Sequence, residues 1–353
     1  MARKTKTRFT RKKQQQNKLL PDGPTRSEWE AFQRFRSFIV HDNDGDKHEF
    51  KLGDTAYIVP YKARSLDNSL SWEEHWIAKI REIAAANAEE VWVRVQWFWS
   101  PDEVSQVIKS FHPEFCGQYE KIFSDNHDII SSQCFAGLVE VKRYNEQNLE
   151  QLGIGDDDWF FRYNFEYTAK RINPKVATVA CICGKPYAPG TDEIVHFCPR
   201  PTCRTGYHQS CLLERGFEEP VSMERSYQLL QTWAETVATA KSLVMPPLKK
   251  HQKTSTEMGG HADAGPSAES PFAYFPSDLL AIAQQQIIKG TKAGGIVGNV
   301  APVVAARSII YRSLTGDGSM PENWENMLDL GAAPAELQQG LPGLLCPGCG
   351  SPI

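Results

Sequence analysis

The sequence predicts an α+β protein in which a β-rich domain precedes a cysteine-rich module that a mostly helical insert divides. Three observations carry this. From about Glu49 to Tyr167 the chain is rich in strand formers, and Val91, Val93, Val95, Trp97 and Trp99 share one face at strand spacing. Close cysteine pairs begin at Cys181, stop at Cys211, and resume at Cys346 and Cys349. Between them, Leu279, Ile282, Ala283 and Ile287 recur at helical spacing.

The elements follow in order. A chain of 353 residues has room for two or three domains, and 41% hydrophobic content supports packed cores. Residues 1–27 read as a basic, disordered tail, because eight basic and no acidic residues stand in the first 18. Such a tail is a solvated segment, a nuclear-import signal or an arm for DNA phosphates. It contains no apolar stretch, which argues against a secretory signal. No apolar run in the chain is long enough for a membrane span.

Residues 28–172 form the β-rich domain. Its first part, 28–40, fits a short helix or an extended segment. Its clearest strands are Thr55–Pro60, Glu74–Ile83 and Val91–Trp99. Asp42, Asp44 and Asp46 suggest a calcium loop, but Lys47 stands where that loop needs glycine and Gly53 where it needs glutamate. His48-Glu49 lacks the second histidine of a zinc-protease helix.

The cysteine-rich module begins at 178–213 and ends at 341–353. Within the insert, 214–340, Tyr227, Leu230, Trp233, Val237 and Val244 fit a helix face, and 245–271 reads as a disordered linker. Ser277 is the expected N-cap of a helix after Pro276, and a further apolar stretch runs from Val303 to Leu314.

Cys181, Cys183, Cys198, Cys203, His208, Cys211, Cys346 and Cys349 make a series of four Cys, one His and three Cys. Eight thiolate and imidazole donors suffice for two closed tetrahedral Zn2+ sites, in which binding energy becomes folding energy. Paired spacing without a secretory signal favours metal over disulfides. His196 is a rival ligand near Cys198. Cys116 and Cys134 fall outside the series and read as small buried hydrophobes. Spacing alone permits either a sequential or an interleaved pairing.

The ligand order resembles a PHD finger, and the Tyr207-His208 step fits such fingers. That resemblance implies interleaving: Cys181, Cys183, His208 and Cys211 on one zinc, and Cys198, Cys203, Cys346 and Cys349 on the other. The same order occurs in a RING variant that recruits ubiquitin-conjugating enzymes. Upstream, Trp76-Ile-Ala-Lys-Ile-Arg-Glu-Ile and Val93-Arg-Val-Gln-Trp-Phe-Trp-Ser-Pro-Asp-Glu resemble the core of a BAH domain. Glu120-Lys-Ile-Phe-Ser-Asp-Asn-His-Asp and Phe165-Glu-Tyr fit the same pattern. Together they are similar to the BAH–PHD histone readers of plants and fungi, over about residues 50–212 and 344–353.

That family implies an aromatic cage for trimethylated lysine 27 of histone H3, at Trp76, Trp97 and Trp99, with Asp128 contacting the histone peptide. A trimethylammonium group has no N–H to donate, so aromatic faces must recognise it, each with roughly 0.5–2 kcal/mol of cation–π attraction. From the pattern alone, the same tryptophans read as domain core. Two departures stand out. The histidine common before the acidic position is Asn126 here, with His127 displaced by one. The tryptophan that lysine-4 readers place two residues before the ligand histidine is Gly206, and Tyr187 alone makes no cage.

The expected function is therefore recognition of a methylated histone H3 tail on the nucleosome, in the nucleus, in transcriptional repression of the Polycomb kind. No nucleophile–base pair, phosphate-cradling loop or open metal site is evident, so no enzymatic activity is expected. The alternatives are a nucleosome- or DNA-binding adaptor using the basic tail, and a RING-like ubiquitin ligase.

Overall fold

The computed structural model describes residues 23–41, 45–59, 75–175, 181–219, 272, 274–315, 320–328 and 340–353. The basic tail up to residue 22, the predicted helix at Tyr227–Val244, the linker 245–271 and residues 42–44 of the calcium-loop candidate lie outside them. The described residues divide into two compact units, drawn from 1–99 with 123–140, and from 100–122 with 141–353. The division thus falls inside the stretch 28–172.

The first unit opens with α1 (Arg26–Ala31). Thr25 caps it through a reciprocal box with Glu28, its N–H reaching the Glu28 carboxylate at 2.7 Å. The chain then extends into β1 (Gln33–Phe35) and β2 (Ser37–His41), so the segment 28–40 contains both predicted conformations. β3 (Lys47–Lys51), β4 (Thr55–Ile58), β5 (Trp76–Ala85) and β6 (Val91–Trp99) follow. They are joined by β7 (Glu120–Ser131), which belongs to this unit from Phe123 onward, and β8 (Phe135–Leu138). The strand order is β7-β6-β5-β4-β8, with β1 also on β5, while β2 and β3 form a separate antiparallel pair.

Asn87 closes the β5–β6 hairpin, its side-chain oxygen accepting the N–H groups of Glu89 and Glu90 at 2.9 and 3.0 Å. The alternation read in β6 is observed: Val93 and Val95 are fully buried, and Val91 and Trp99 pack at the two ends of the same core face. Phe38, Phe50 and Phe135 close that core as a trio with centroids 5.0–5.3 Å apart. Cys134 is buried among them, as expected of a small hydrophobe.

The second unit contains α2 (Pro101–Val107), capped by a Ser100–Glu103 box. β9 (Val141–Arg143) runs parallel and β11 (Arg171–Asn173) antiparallel to β10 (Trp159–Glu166). The Arg162 guanidinium is buried, and all five of its N–H groups are engaged. It pairs with Glu120 at 2.8 and 2.9 Å and Glu146 at 2.7 Å, and donates to the Tyr187 and Phe115 carbonyls at 3.0 and 2.8 Å.

The cysteine-rich module contributes β12 (Val195–Phe197), β13 (Gly206–His208) and α3 (Gln209–Glu214). Its insert supplies α4 (Ser277–Ala283), β14 (Ile288–Lys289) and α5 (Val300–Thr315). β14 pairs with β12, giving the order β13-β12-β14. One core unites Leu149, Phe197, Ile287, Val300, Val303 and Val304, and another joins Tyr144, Phe160 and Tyr187 to Ile296 and Val297.

Two expectations about the insert need correction. Pro276, extended at φ −55° and ψ 138°, is the N-cap of α4, so Ser277 is already the first helical residue and makes no cap bond. Ile287, predicted on the helix face, lies beyond the helix and leads into β14. Burial of Ile287 against Phe197 produced the apolar spacing that mimicked a further turn.

Gly298 shows how tightly this segment is built. Its φ is +65°, and a Cβ there would lie 1.8 Å from the Ile288 carbonyl oxygen. Gly298→Ala is expected to cost about 2 kcal/mol or more in a thermal melt. Gly216 has φ +74° with open space around it, so Gly216→Ala should lose only about 1 kcal/mol. Equal losses at the two positions would show that steric contact is not what holds the segment.

Candidate functional site

Three tryptophans meet at one end of the β5–β6 ladder. The register that pairs Ala78 with Trp97 and Ile77 with Phe98 puts Trp76 on the same face as Trp97 and Trp99, because residues opposite one another point the same way. The Trp76 and Trp97 rings stand 5.8 Å apart at 82°, edge to face. Trp97 is 7% exposed and Trp76 37%. Trp99 is half-buried against the core that contains Val93 and Val95. Core and corner are therefore one surface: the valine end is buried, and the tryptophan end reaches solvent.

β7 supplies the acidic group. The Trp97 indole N–H donates to Asp128 Oδ2 at 2.9 Å, which orients ring and carboxylate together. Partial loss of water raises the Asp128 pKa above the usual carboxylate value, opposed by the Trp97 bond and by His127. Asp128 and His127 also line an open groove of about 550 Å³ with Arg34, Glu82 and Arg94. The Arg94–Glu82 pair there is 2.9 Å apart. His127 is exposed and its Nδ1 lies 2.8 Å from the Asp125 carbonyl, while the Asn126 N–H bonds to Ser124 Oγ at 3.1 Å. Aromatic faces at right angles beside a carboxylate attract a cation by quadrupole and by charge.

The eight predicted metal donors gather into two groups. Cys181, Cys183, His208 and Cys211 form one, and Cys198, Cys203, Cys346 and Cys349 the other, with donor atoms within 4.8 Å of one another in each. This is the interleaved arrangement. A tetrahedral zinc site has thiolate–thiolate edges of about 3.8 Å and thiolate–imidazole edges of about 3.5 Å, from the usual bond lengths. The structure has Cys203–Cys346 at 3.5 Å and Cys198–Cys349 at 3.7 Å. His208 Nδ1 stands 3.5 Å from Cys183 Sγ and 3.8 Å from Cys211 Sγ. These separations fit an ion at each centre, and the cysteines are free of disulfides.

Local structure explains the gathering. The β12–β13 hairpin leads into Cys198 at one end and His208 at the other, and α3 carries Cys211 one turn further. The last segment clips on through Leu345 N–H to Phe217 O at 2.9 Å and Glu219 N–H to Gly343 O at 2.8 Å. His196 joins neither group; its Nε2 lies 2.9 Å from Gln209 Oε1. Cys116 also stays outside, half-buried, its thiol pushed up by burial.

Gly206 and Tyr187 are settled by packing. A Cβ on Gly206 would lie 2.8 Å from Val195 Cγ1, so the hairpin leaves little room for a side chain there. Tyr187 is core, its hydroxyl donating to the Ile296 carbonyl at 2.9 Å. Sequence reasoning missed Lys289, whose one signal was a lysine inside the apolar run Ile287-Ile288-Lys289. It is buried, which pushes its pKa down to about 8 against the opposing pull of Glu146.

These features can be set against known proteins. The chain is 28% identical over 138 residues to the chromatin remodeling protein SHL of Arabidopsis thaliana, covering 39% of this chain and 57% of the relative. It is 27% identical over 138 residues to the chromatin remodeling protein EBS of the same plant, covering 39% and 55%. The resemblance to BAH–PHD chromatin proteins is thus borne out by two homologues. The chain spans about half the length of these curated relatives. The yeast Rsc2 BAH domain aligns with a TM-score of 0.27 and 11% identity, over 40% of this chain and 54% of that domain. No family model matches the chain. No described helix is long and apolar enough to cross a membrane.

Proposed function

We propose that the protein is a nuclear chromatin reader that binds a trimethylated lysine of the histone H3 tail, lysine 27, and acts in transcriptional silencing. The observation that carries this is the corner itself: Trp76, partly open to solvent, stands perpendicular to Trp97, and Trp97 is bonded to Asp128. Trp76, Trp97 and Trp99 face the trimethylammonium group. Asp128 supplies charge and contacts the peptide. The choice of lysine 27 rests on the resemblance to the BAH–PHD readers, since an aromatic corner reads the ammonium and flanking contacts read the address.

The two Cys/His groups each hold a Zn2+ in this proposal. Four protein donors leave no open position for substrate, so the ions are structural, and the protein is read as a binding protein and not an enzyme. The residues hold the fold of the finger, and the tryptophan corner binds.

The test is titration with H3 peptides, plain or trimethylated at lysine 4, 9 or 27. Lysine-27 trimethylation is expected to tighten binding about tenfold or more, an effect the size of one to two cation–π faces. Trp97 belongs to the core, so Trp97→Ala confounds binding with folding. Trp76→Ala is the cleaner variant and should abolish the preference with little change in melting temperature. Equal affinity for plain and methylated peptides would instead favour nucleosome or DNA binding through the basic first 18 residues. That outcome requires a steep salt dependence lost on removing the tail.

A further inference from the structure

The second unit contains a cavity of about 340 Å³ that neither the metal centres nor the tryptophan corner uses. The turn that follows β9 lines it through Asn145, Glu146 and Gln147. That turn is fixed from within: the Asn145 side chain accepts the Gln147 N–H at 3.1 Å, and its carbonyl accepts the Asn148 N–H at 3.0 Å. Asn164 of β10, Lys175 beyond β11 and Pro186 of the finger also face the cavity.

Two charges of the lining are answered inside the fold. Arg162 is 2% exposed with all five N–H groups engaged, so it holds the cavity in shape and offers no donor. Glu146 is the one acid of the described lining, and its carboxylate stands 2.7 Å from Arg162. The rim is different. Arg143 and Lys175 are exposed, and among the described residues the Arg143 guanidinium has no hydrogen-bond or ion-pair partner.

A third cation reaches the same turn. Arg204 Nη1 donates to the Gln147 carbonyl at 3.4 Å, and its Nε is buried without a hydrogen-bond partner among the described residues. Its φ is +45°, a left-handed conformation that glycine or asparagine adopts at lower cost. An arginine retained in such a position points to a use for its side chain.

Guanidinium, ammonium and amide donors from separate elements thus meet at one cavity with a surplus of positive charge. A phosphate monoester complements that set, with a charge of about −1.5 to −2 near neutral pH and three strong acceptor oxygens. A carboxylate has one charge and two oxygens. The volume falls within the range of about 300–1,000 Å³ usual for small-ligand pockets, which leaves room for the group that bears the phosphate. Duplex DNA presents rows of phosphates, and these call for an extended basic groove.

We propose that this cavity binds a phosphate monoester, on a small molecule or on a side chain of a partner protein. Arg143, Lys175 and Asn164 are its donors, and Arg204 adds charge at the rim. The tryptophan corner belongs to the other unit and shares no residue with this site.

The test is calorimetric titration of the full, zinc-loaded chain with glycerol 3-phosphate and with the end-blocked tripeptide glycyl-phosphoseryl-glycine. At least one should bind at a single site with a Kd of about 5 mM or tighter. Tighter binding of the first assigns the cavity to a small molecule, and tighter binding of the second to a phosphorylated side chain. Arg143→Gln should weaken that ligand roughly tenfold, the worth of one charge-assisted hydrogen bond, and keep the wild-type melting temperature. Lys175→Gln gives the same reading should Arg143→Gln not fold. Lys47→Gln removes an equal charge from the first unit and should leave the affinity unchanged. Weaker binding of both compounds to the wild type overturns the proposal. So does undiminished affinity in Arg143→Gln and Lys175→Gln, or equal weakening by Lys47→Gln. A short DNA duplex that binds with the same Arg143 dependence where neither monoester does also overturns it, and makes the surface one for nucleic acid.

Discussion

Cys346→Ser is expected to reduce bound zinc from two ions per chain to one and to unfold the finger at temperatures the wild type tolerates. The thiol is buried, 3.5 Å from Cys203 Sγ, and its group completes a centre whose other half lies before the insert. Zinc binding in finger peptides is worth about 10–16 kcal/mol near neutral pH, and most of it is folding energy. Loss of one ligand should therefore cost on the order of 5 kcal/mol or more, beyond the usual range for a point substitution. The C-terminal clip would go with it, because Leu344 and Ile353 share a core with Cys181, Cys198 and Leu212.

Interleaving makes a sharper statement. Cys198→Ser and Cys346→Ser should each lose the same ion, and the double variant should be little worse than either alone. Cys211→Ser should lose the other ion. Cys116→Ser should keep both. Elemental analysis with thermal melting decides it. Two zinc ions retained by Cys346→Ser, or additive losses for Cys198 and Cys346, would break the assignment.

How far the sequence revealed these centres follows from the physics of each signal. Thiolates and imidazoles are few, and their pairing survives any insertion between pairs, so all eight donors could be named. Their partition could not be read from spacing, and came from the resemblance. The face of β6 shared by Val91, Val93, Val95, Trp97 and Trp99 was legible because successive side chains of a strand point to opposite sides, although burial on both faces from Val95 to Phe98 was not. The same alternation put Trp97 and Trp99 on one face, but from the pattern alone they read as core; their grouping with Trp76 came from the resemblance, and the Asp128 bond, which joins residues 31 apart, was not legible. β14 was not legible. Two residues carry no period, and Lys289 opposes its burial preference until Phe197, Tyr144 and Glu146 are brought around it. The division of residues 28–172 between two units was equally hidden, since it depends on which strands find cores elsewhere in the chain.

Arg162 is the strongest example of a residue whose importance only the fold reveals, and it sets the second large expectation. Its side chain is 2% exposed and that of Glu120 fully buried. Glu120 also accepts the Gly117 N–H at 2.9 Å, so the carboxylate keeps its position whatever stands opposite. Arg162→Met should thus leave an uncompensated buried charge, at a cost of about 3–5 kcal/mol. Lysine should not rescue it, because an ammonium has three donors and cannot reproduce the planar fork that engages Glu120, Glu146, Phe115 and Tyr187. The double variant Arg162→Met with Glu120→Met should be less costly than Arg162→Met alone, since the orphaned charge is then gone. Urea denaturation of the three proteins measures this. A single-variant loss below about 1 kcal/mol, the level of an exposed pair, would contradict it. The Tyr187 carbonyl belongs to the finger, and Tyr187 shares a core with Phe160 of β10 and Ile296 of the insert. One guanidinium thereby joins β10 to the finger, and the finger is part of the core of this unit instead of an appendage to it. A deletion that removes the finger to isolate the upstream residues should accordingly destabilise β9, β10 and β11 as well.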